Sequence, residues 1–136
     1  MEKSKIDSIK NTLKNNNSIL MIYLFGSQVK GNTNKYSDID IAILFDNEVK
    51  EHEYTDKQID IAANLSKILN REIDVIILNR ASLFLKYHVL KEGIKIYEHP
   101  DRSEHNFEAR SIMEYLDFLP IKIRIENGML AKIKEA

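Results

Sequence analysis

Residues 24–46, LFGSQVKGNTNKYSDIDIAILFD, connect the two strands on which the predicted fold is built. This stretch opens with the end of an apolar run, Ile19 to Phe25, whose branched and aromatic residues predict a buried strand. Gly26-Ser27 ends that strand, and ten largely polar residues follow. The alternating segment from Asp38 to Phe45 then predicts a second strand. A strand that stops at Gly-Ser and a strand that starts with two acids therefore form the centre of the expected sheet.

Further helices and strands flank this pair along the chain. Apolar residues at helical spacing predict one helix before Asn15 and another that starts at a Thr55–Gln58 capping box. A third predicted helix runs from Ser82 to Glu92 and ends at Gly93. Two more strands are predicted at 73–78 and 94–97. Strands that alternate with helices indicate an α/β (α+β) fold.

The tail from about residue 103 to residue 136 is predicted to be helical, with a kink or break at Pro120. Ile121, Ile123 and Ile125 also alternate, so a strand is the alternative there. We expect the apolar residues of this tail to pack mostly on the protein's own sheet. A minority would stay exposed to dock a partner or a second copy.

Length and composition narrow the class of protein. A chain of 136 residues with a net charge of -1 is expected to form a single domain, residues 1–136, with a core at about 18–101. The balanced charge argues against a surface built to grip nucleic acid or anionic lipid. The absence of cysteine excludes a disulfide framework or a thiolate metal site. With no signal peptide and no membrane-spanning run, we expect a soluble cytoplasmic protein.

Three carboxylates stand where a packed sheet would not normally place them. Asp38 and Asp40 project from the same face of one strand, and Asp74 interrupts another apolar strand. Grouped carboxylates repel one another, and a divalent cation relieves that repulsion. Because all the ligands are oxygen atoms, they suit a hard ion, Mg²⁺ or Mn²⁺.

Gly26-Ser27 supplies a second component, a turn whose backbone can approach a phosphate closely. The chain has no G-x-x-x-x-G-K-[ST] motif, so the site is not a P-loop. A phosphate cradle on one strand and a metal site on the next predict phosphoryl or nucleotidyl transfer by in-line displacement. Each motif alone has an ordinary structural interpretation. Their order and spacing on successive strands favour the functional one.

These residues resemble a known family. Gly26-Ser27, ten residues and then Asp38-Ile39-Asp40 match the G-S-x(10)-D-x-D signature of nucleotidyltransferases with the DNA polymerase β-like fold. The wider stretch is similar to the minimal nucleotidyltransferase (MNT) branch, with Lys30 where Arg is usual, and the resemblance covers most of residues 18–101. It implies a small mixed β-sheet flanked by helices, with further helices in the C-terminal tail.

The resemblance also implies a function. MNT antitoxins pair with HEPN ribonuclease toxins and transfer AMP from ATP to a toxin tyrosine, with Mg²⁺. Carried over to this chain, Gly26, Ser27 and Lys30 would bind the nucleotide. Asp38, Asp40 and Asp74 would be the catalytic, metal-binding carboxylates, and Asp74 would also help to activate the acceptor hydroxyl. Gln28 departs from the Arg or aromatic residue common after Gly-Ser.

Two other functions remain open on the sequence. A non-catalytic antitoxin would act by covering the toxin, although binding alone would not require the acids and Gly-Ser. A nucleotidyltransferase acting on a small molecule, such as an aminoglycoside, would need a homodimer to complete its pocket. The chain shows no R-x(4)-H ribonuclease pattern, so any RNA cleavage would belong to the partner. The assembly expected is a hetero-oligomer or a homodimer without direct nucleic-acid contact.

Overall fold

The computed structural model describes residues 3–26, 38–104 and 106–135. Four helices and four strands follow one another along these residues, with short 3-10 turns at Glu51–Glu53 and Leu78–Arg80. In chain order they are α1 Lys3–Leu13, β1 Ile19–Phe25, β2 Ile39–Phe45, α2 Tyr54–Leu69, β3 Ile73–Ile77, α3 Leu83–Glu92, β4 Ile94–Glu98 and α4 Phe107–Glu135.

The strands form one mixed sheet in the order β3-β2-β1-β4. β1 pairs antiparallel with β2 and with β4, whereas β2 pairs parallel with β3. The parallel pair is joined by a crossover through α2, as parallel strands require. This architecture confirms the predicted α/β (α+β) class and the small mixed sheet flanked by helices.

Both faces of the sheet are covered, so the two central strands are apolar along most of their length. One face packs against α1 and α2, through residues such as Ile41, Ile43 and Leu65, each fully buried. The opposite face packs against α3 and the start of α4, where Val89 and Phe107 are buried. Each fully buried Ile or Leu side chain contributes roughly 1.5–3 kcal/mol of transfer free energy.

A change in register at the start of β1 shapes that strand. The pairing of β1 with β2 shifts between Ile19 and Met21, which is the mark of a β-bulge. As a result Leu20 and Met21 both join the core on the α3 face, while Ile19 and Ile22 join the other. The sequence run predicted the strand but not the bulge.

The edge strand β3 is braced by side chains from α2. The Gln58 amide donates to the Val75 carbonyl at 2.5 Å, and Arg80 donates to Gln58 at 2.5 Å and to Thr55 at 3.1 Å. The predicted Thr55–Gln58 capping box is therefore wrong. α2 begins at Tyr54, one residue earlier, and both side chains are used in contacts with β3 and the turn after it.

The C-terminal tail differs from expectation in two ways. α4 runs without a break from residue 107 to residue 135 and includes Pro120, so neither a divided helix nor a strand is present. Pro120 removes the hydrogen bond to the Leu116 carbonyl and crowds that carbonyl, but water can bond to the freed oxygen because this part of the helix is exposed. Most of its apolar residues are exposed rather than packed on the sheet, which corrects the expected burial: Met113, Leu116, Phe118, Ile121, Ile123, Ile125, Met129, Leu130 and Ile133.

Candidate functional site

One end of the sheet brings together the predicted site residues that the structure describes. Asp40, near the start of β2, pairs with Phe25 at the end of β1 and with Asp74 near the start of β3. Because paired residues on neighbouring strands project from the same face, the side chains of Asp40 and Asp74 lie side by side. Asp38 precedes β2 at the same end and is exposed.

Gly26 closes β1 directly against the Asp40 carboxylate. Its φ of 78° lies in the left-handed region that favours glycine. A Cβ placed on Gly26 would clash with Asp40 Oδ2 and would lie 3.2 Å from Asp40 Cγ. Any larger residue would therefore displace the carboxylate, so the glycine and the acid form one structural unit.

The three carboxylates interact electrostatically. Burial raises the pKa of Asp40, and the negative charges of Asp74 and Asp38 raise it further. Asp40 is half-buried, whereas Asp38 and Asp74 are exposed. The negative charges of Asp74 and Asp38 therefore repel that of Asp40, and a bound cation would relieve this repulsion.

The donor set fits a hard divalent cation, since every candidate ligand is a carboxylate oxygen. Within residues 3–26, 38–104 and 106–135, however, no three His, Asp or Glu side chains already stand close enough to hold a metal ion. Ser27 and Lys30, predicted to bind the nucleotide, and Gln28 lie outside the described residues. The metal-binding and nucleotide-binding roles of these residues are therefore proposals.

A groove of about 490 Å³ opens beside the carboxylates, between α2 and the edge of the sheet. Asp38 and Asp74 form part of its wall. The remaining lining comes from α2 and from the start of β3: Ala62, Ala63, Ser66, Glu72 and Ile73. Sequence reasoning missed this groove, because small residues on a helix carry no chemical signal until the opposing strand is in place.

A second feature that sequence reasoning missed lies where β1, β4 and the start of α4 meet. Lys95 Nζ donates to Glu108 Oε1 at 2.8 Å, a contact that raises the pKa of Lys95. Burial alone would raise the pKa of Glu108, but hydrogen bonds from Lys95 and Tyr23 lower it. Tyr23 is buried in the core, and this burial together with the Glu108 charge raises the pKa of its hydroxyl. The network fixes α4 to the sheet.

The mixed sheet and its group of carboxylates are typical of nucleotidyltransferases. Residues 7–102 match the family described as "Polymerase beta, Nucleotidyltransferase", and the chain belongs to that family. This match confirms the predicted enzyme class and the resemblance to nucleotidyltransferases with the DNA polymerase β-like fold.

The chain is also similar to a protein adenylyltransferase. The chain is 30% identical over 114 residues to the protein adenylyltransferase MntA of Aphanizomenon flos-aquae (strain 2012/KM1/D3), an alignment that covers 79% of this chain and 76% of the relative. The recognition of an MNT-type chain is confirmed by this relative together with the family match.

Solved structures show the same fold. A chain in the crystal structure of a toxin–antitoxin with AMP-PNP superimposes with a TM-score of 0.73 at 24% identity, over 96% of this chain and 99% of the other. A chain of the tri-AMPylated Shewanella oneidensis HEPN toxin in complex with MNT antitoxin gives a TM-score of 0.73 at 23% identity, over 96% and 99%.

Among the residues that the structure describes, no helix has the length and apolar character needed to cross a membrane.

Proposed function

We propose that this chain is an antitoxin that transfers AMP from ATP to a tyrosine of a HEPN ribonuclease toxin and thereby neutralises it. The main observation behind the proposal is the position of Asp40, whose carboxylate lies against Gly26 and which pairs with Asp74 at one end of the sheet. The similarity to a protein adenylyltransferase and to chains of HEPN–MNT complexes supports the choice of acceptor. We place the reaction in the cytoplasm.

Asp38, Asp40 and Asp74 would hold Mg²⁺, which supplies charge neutralisation at the phosphates and at the attacking oxygen. Gly26 keeps the Asp40 carboxylate in place because no side chain intervenes. Its backbone, with Ser27, would cradle the triphosphate, and Lys30 would neutralise part of the phosphate charge.

The transfer is an in-line displacement. The tyrosine oxygen forms a bond to the α-phosphorus of ATP, and the bond from that phosphorus to the oxygen bridging to the β-phosphate breaks. Pyrophosphate leaves with the electron pair. The Asp74 carboxylate, which is exposed on the edge strand, would accept the phenolic proton.

The experiment is intact-mass analysis of a HEPN toxin from the same genome after incubation with this chain, ATP and Mg²⁺. A parallel sample uses Asp38→Asn with Asp40→Asn, which keeps the shape of both side chains and removes their charge. We expect a mass gain of one or more AMP units with the wild type and none with the double variant. No gain from either version, with a tight complex formed by both, would contradict the proposal and indicate inhibition by binding alone.

A further inference from the structure

The second half of α4 projects from the body of the protein. The first half packs on α3, where Tyr115 stacks on Tyr87 with ring centroids 4.3 Å apart. Every residue from 123 to 134 is exposed, so about 18 Å of helix projects into solvent. A helix of this length is marginal in water by itself, because most helical stability in proteins comes from packing of an apolar face. The projecting segment therefore favours a state in which a partner covers it.

A line of mostly apolar residues with heptad spacing, here called the α4 seam, runs along this helix. Its positions follow one another at intervals of three, four, three, four and three residues: Leu116, Leu119, Ile123, Glu126, Leu130 and Ile133. Alternating steps of three and four keep side chains on one side of a helix and are typical of coiled coils. Leu119 is partly buried, and the exposure of the other apolar members ranges from 48% at Leu116 to 70% at Ile133. The spacing indicates that the partner is another helix.

The α4 seam is complementary to a second copy of itself in the antiparallel direction. When two copies are aligned about a twofold axis between Arg124 and Ile125, each seam position meets a seam position of the other helix: Leu116 with Ile133, Leu119 with Leu130 and Ile123 with Glu126. A symmetric dimer requires a patch that matches itself after a twofold rotation, and this spacing meets the requirement.

The charges of α4 favour the same alignment. Residues 107–119 carry three acids and one base, whereas residues 120–134 carry four bases and one acid. An antiparallel pair places the acidic half of each helix beside the basic half of the other. A parallel pair would instead place the two copies of Glu126 opposite each other. In the antiparallel pair Glu126 lies opposite Ile123 of the second copy and beside its Lys122, a residue type that already lies 3.7 Å from Glu126 within each chain.

We propose that the α4 seam is a dimer interface, on which a second copy of this chain packs its own α4 seam in antiparallel orientation. The projecting end of each helix then lies beside the half of the other helix that packs on α3, so both ends are covered. The interface includes none of the residues proposed to bind metal or nucleotide. Dimer formation therefore requires neither ATP nor toxin.

The first test measures self-association of the full-length chain, without toxin, by sedimentation equilibrium. Ile123→Glu combined with Leu130→Glu places charge in the α4 seam. Ile121→Glu combined with Ile125→Glu is the matched control, because these two side chains are 51% exposed on the same helix but lie outside the seam. Since the added charges would be buried only in the seam variant, its Kd for dimerisation should rise at least about tenfold, while that of the control stays within about threefold of wild type. The Tm of each variant is measured alongside.

Cysteine cross-linking tests the direction of the pair. The chain contains no cysteine, so Leu119→Cys and Leu130→Cys each introduce a single thiol. An antiparallel pair brings positions 119 and 130 together, so a mixture of the two variants should form disulfide-linked dimers under mild oxidation. Either variant alone should cross-link much less, because like positions lie about 16 Å apart along the helix axis.

Three results would overturn the inference. One is a wild-type chain that sediments as a monomer at about 100 µM, a concentration at which a specific dimer should form. Another is a folded seam variant that dimerises as well as the control. The third is a Leu119→Cys variant that cross-links with itself as readily as with Leu130→Cys. If the wild type is monomeric and only the seam variant binds a HEPN toxin more weakly, the α4 seam belongs to the toxin and not to a second copy.

Discussion

Replacing Asp40 with Asn should make the protein more stable and inactive at once. Burial and the charges of Asp74 and Asp38 raise the pKa of Asp40 in the folded state. An acid with a raised folded pKa opposes folding when it is ionised. The penalty is absent below the unfolded pKa of about 3.9, grows as the pH rises past that value and is complete above the folded pKa.

The size of the gain follows from the sheet geometry. Neighbouring strands lie roughly 4.8 Å apart, so the carboxylates of Asp40 and Asp74 are about 5 Å apart. Because Asp74 is exposed, the dielectric constant of water is the appropriate choice, and the repulsion is ~0.8 kcal/mol. With smaller contributions from Asp38 and from relief of the cost of burying a charge, the substitution should stabilise the fold by about 1 kcal/mol at pH 7, a rise in Tm of about 3–5 °C.

The assay is thermal unfolding in EDTA at pH 7 and at pH 3.5, repeated at pH 7 with MgCl₂. The gain of Asp40→Asn should be present at pH 7 and largely absent at pH 3.5. Mg²⁺ should raise the Tm of the wild type more than that of the variant, while AMP transfer by the variant falls by at least about 100-fold. Asp117→Asn, on the exposed face of α4, is the control for losing one negative charge. A lower Tm for Asp40→Asn at pH 7 in EDTA would refute the reasoning.

The other predictions concern side chains that hold β3, the Asp40 carboxylate and α4 in place. Gln58→Ala removes a hydrogen bond to β3 and should cost about 1 kcal/mol, with faster amide exchange in that strand measured by mass spectrometry; unchanged exchange would contradict the bracing role. Gly26→Ala combines a positive φ with a clash against Asp40, so AMP transfer should fall more than stability, and equal losses would argue against a role in positioning the carboxylate. Glu108→Gln should lower the Tm at pH values above the unfolded pKa of Glu108, because the ionised carboxylate stabilises the wild type there through Lys95. This difference should shrink as the pH falls through the lowered folded pKa. A difference in Tm that does not vary with pH would show that the charge-assisted bond to Lys95 is not the source of the stability.

The sequence was most informative where chemistry and periodicity coincide. β1 and β2 follow from an apolar run and an alternating run, and the Gly-Ser and Asp-x-Asp motifs sit at their ends, so the motif spacing predicted which strand ends meet. Asp74 could be identified because an acid inside an apolar strand is costly unless it has a purpose. The contact between Gly26 and Asp40 adds a steric reason for the glycine that no pattern could supply.

The sequence was least informative where the role of a side chain depends on which distant residues pack against it. Thr55 and Gln58 have the spacing of a capping box, yet their partners are a turn and a strand that lie about 20 residues further along the chain. The apolar residues of α4 have helical spacing, which predicts the helix but not whether anything covers it. Both depend on long-range packing that local spacing does not encode.

The strand order has a consequence for the timing of folding during synthesis. β2 and β3 are separated by the 27 residues from 46 to 72, so the parallel pairing that brings Asp74 to Asp40 requires closure of a long loop. β1 lies inside the sheet, and its outer edge stays unpaired until β4 has been made as far as Glu98. At roughly 5–20 residues per second, a ribosome needs about 3–12 s to proceed from Asp40 to that point. A nascent chain thus exposes the open edge of β1 for several seconds after Asp40 has been made, until β4 can cover it.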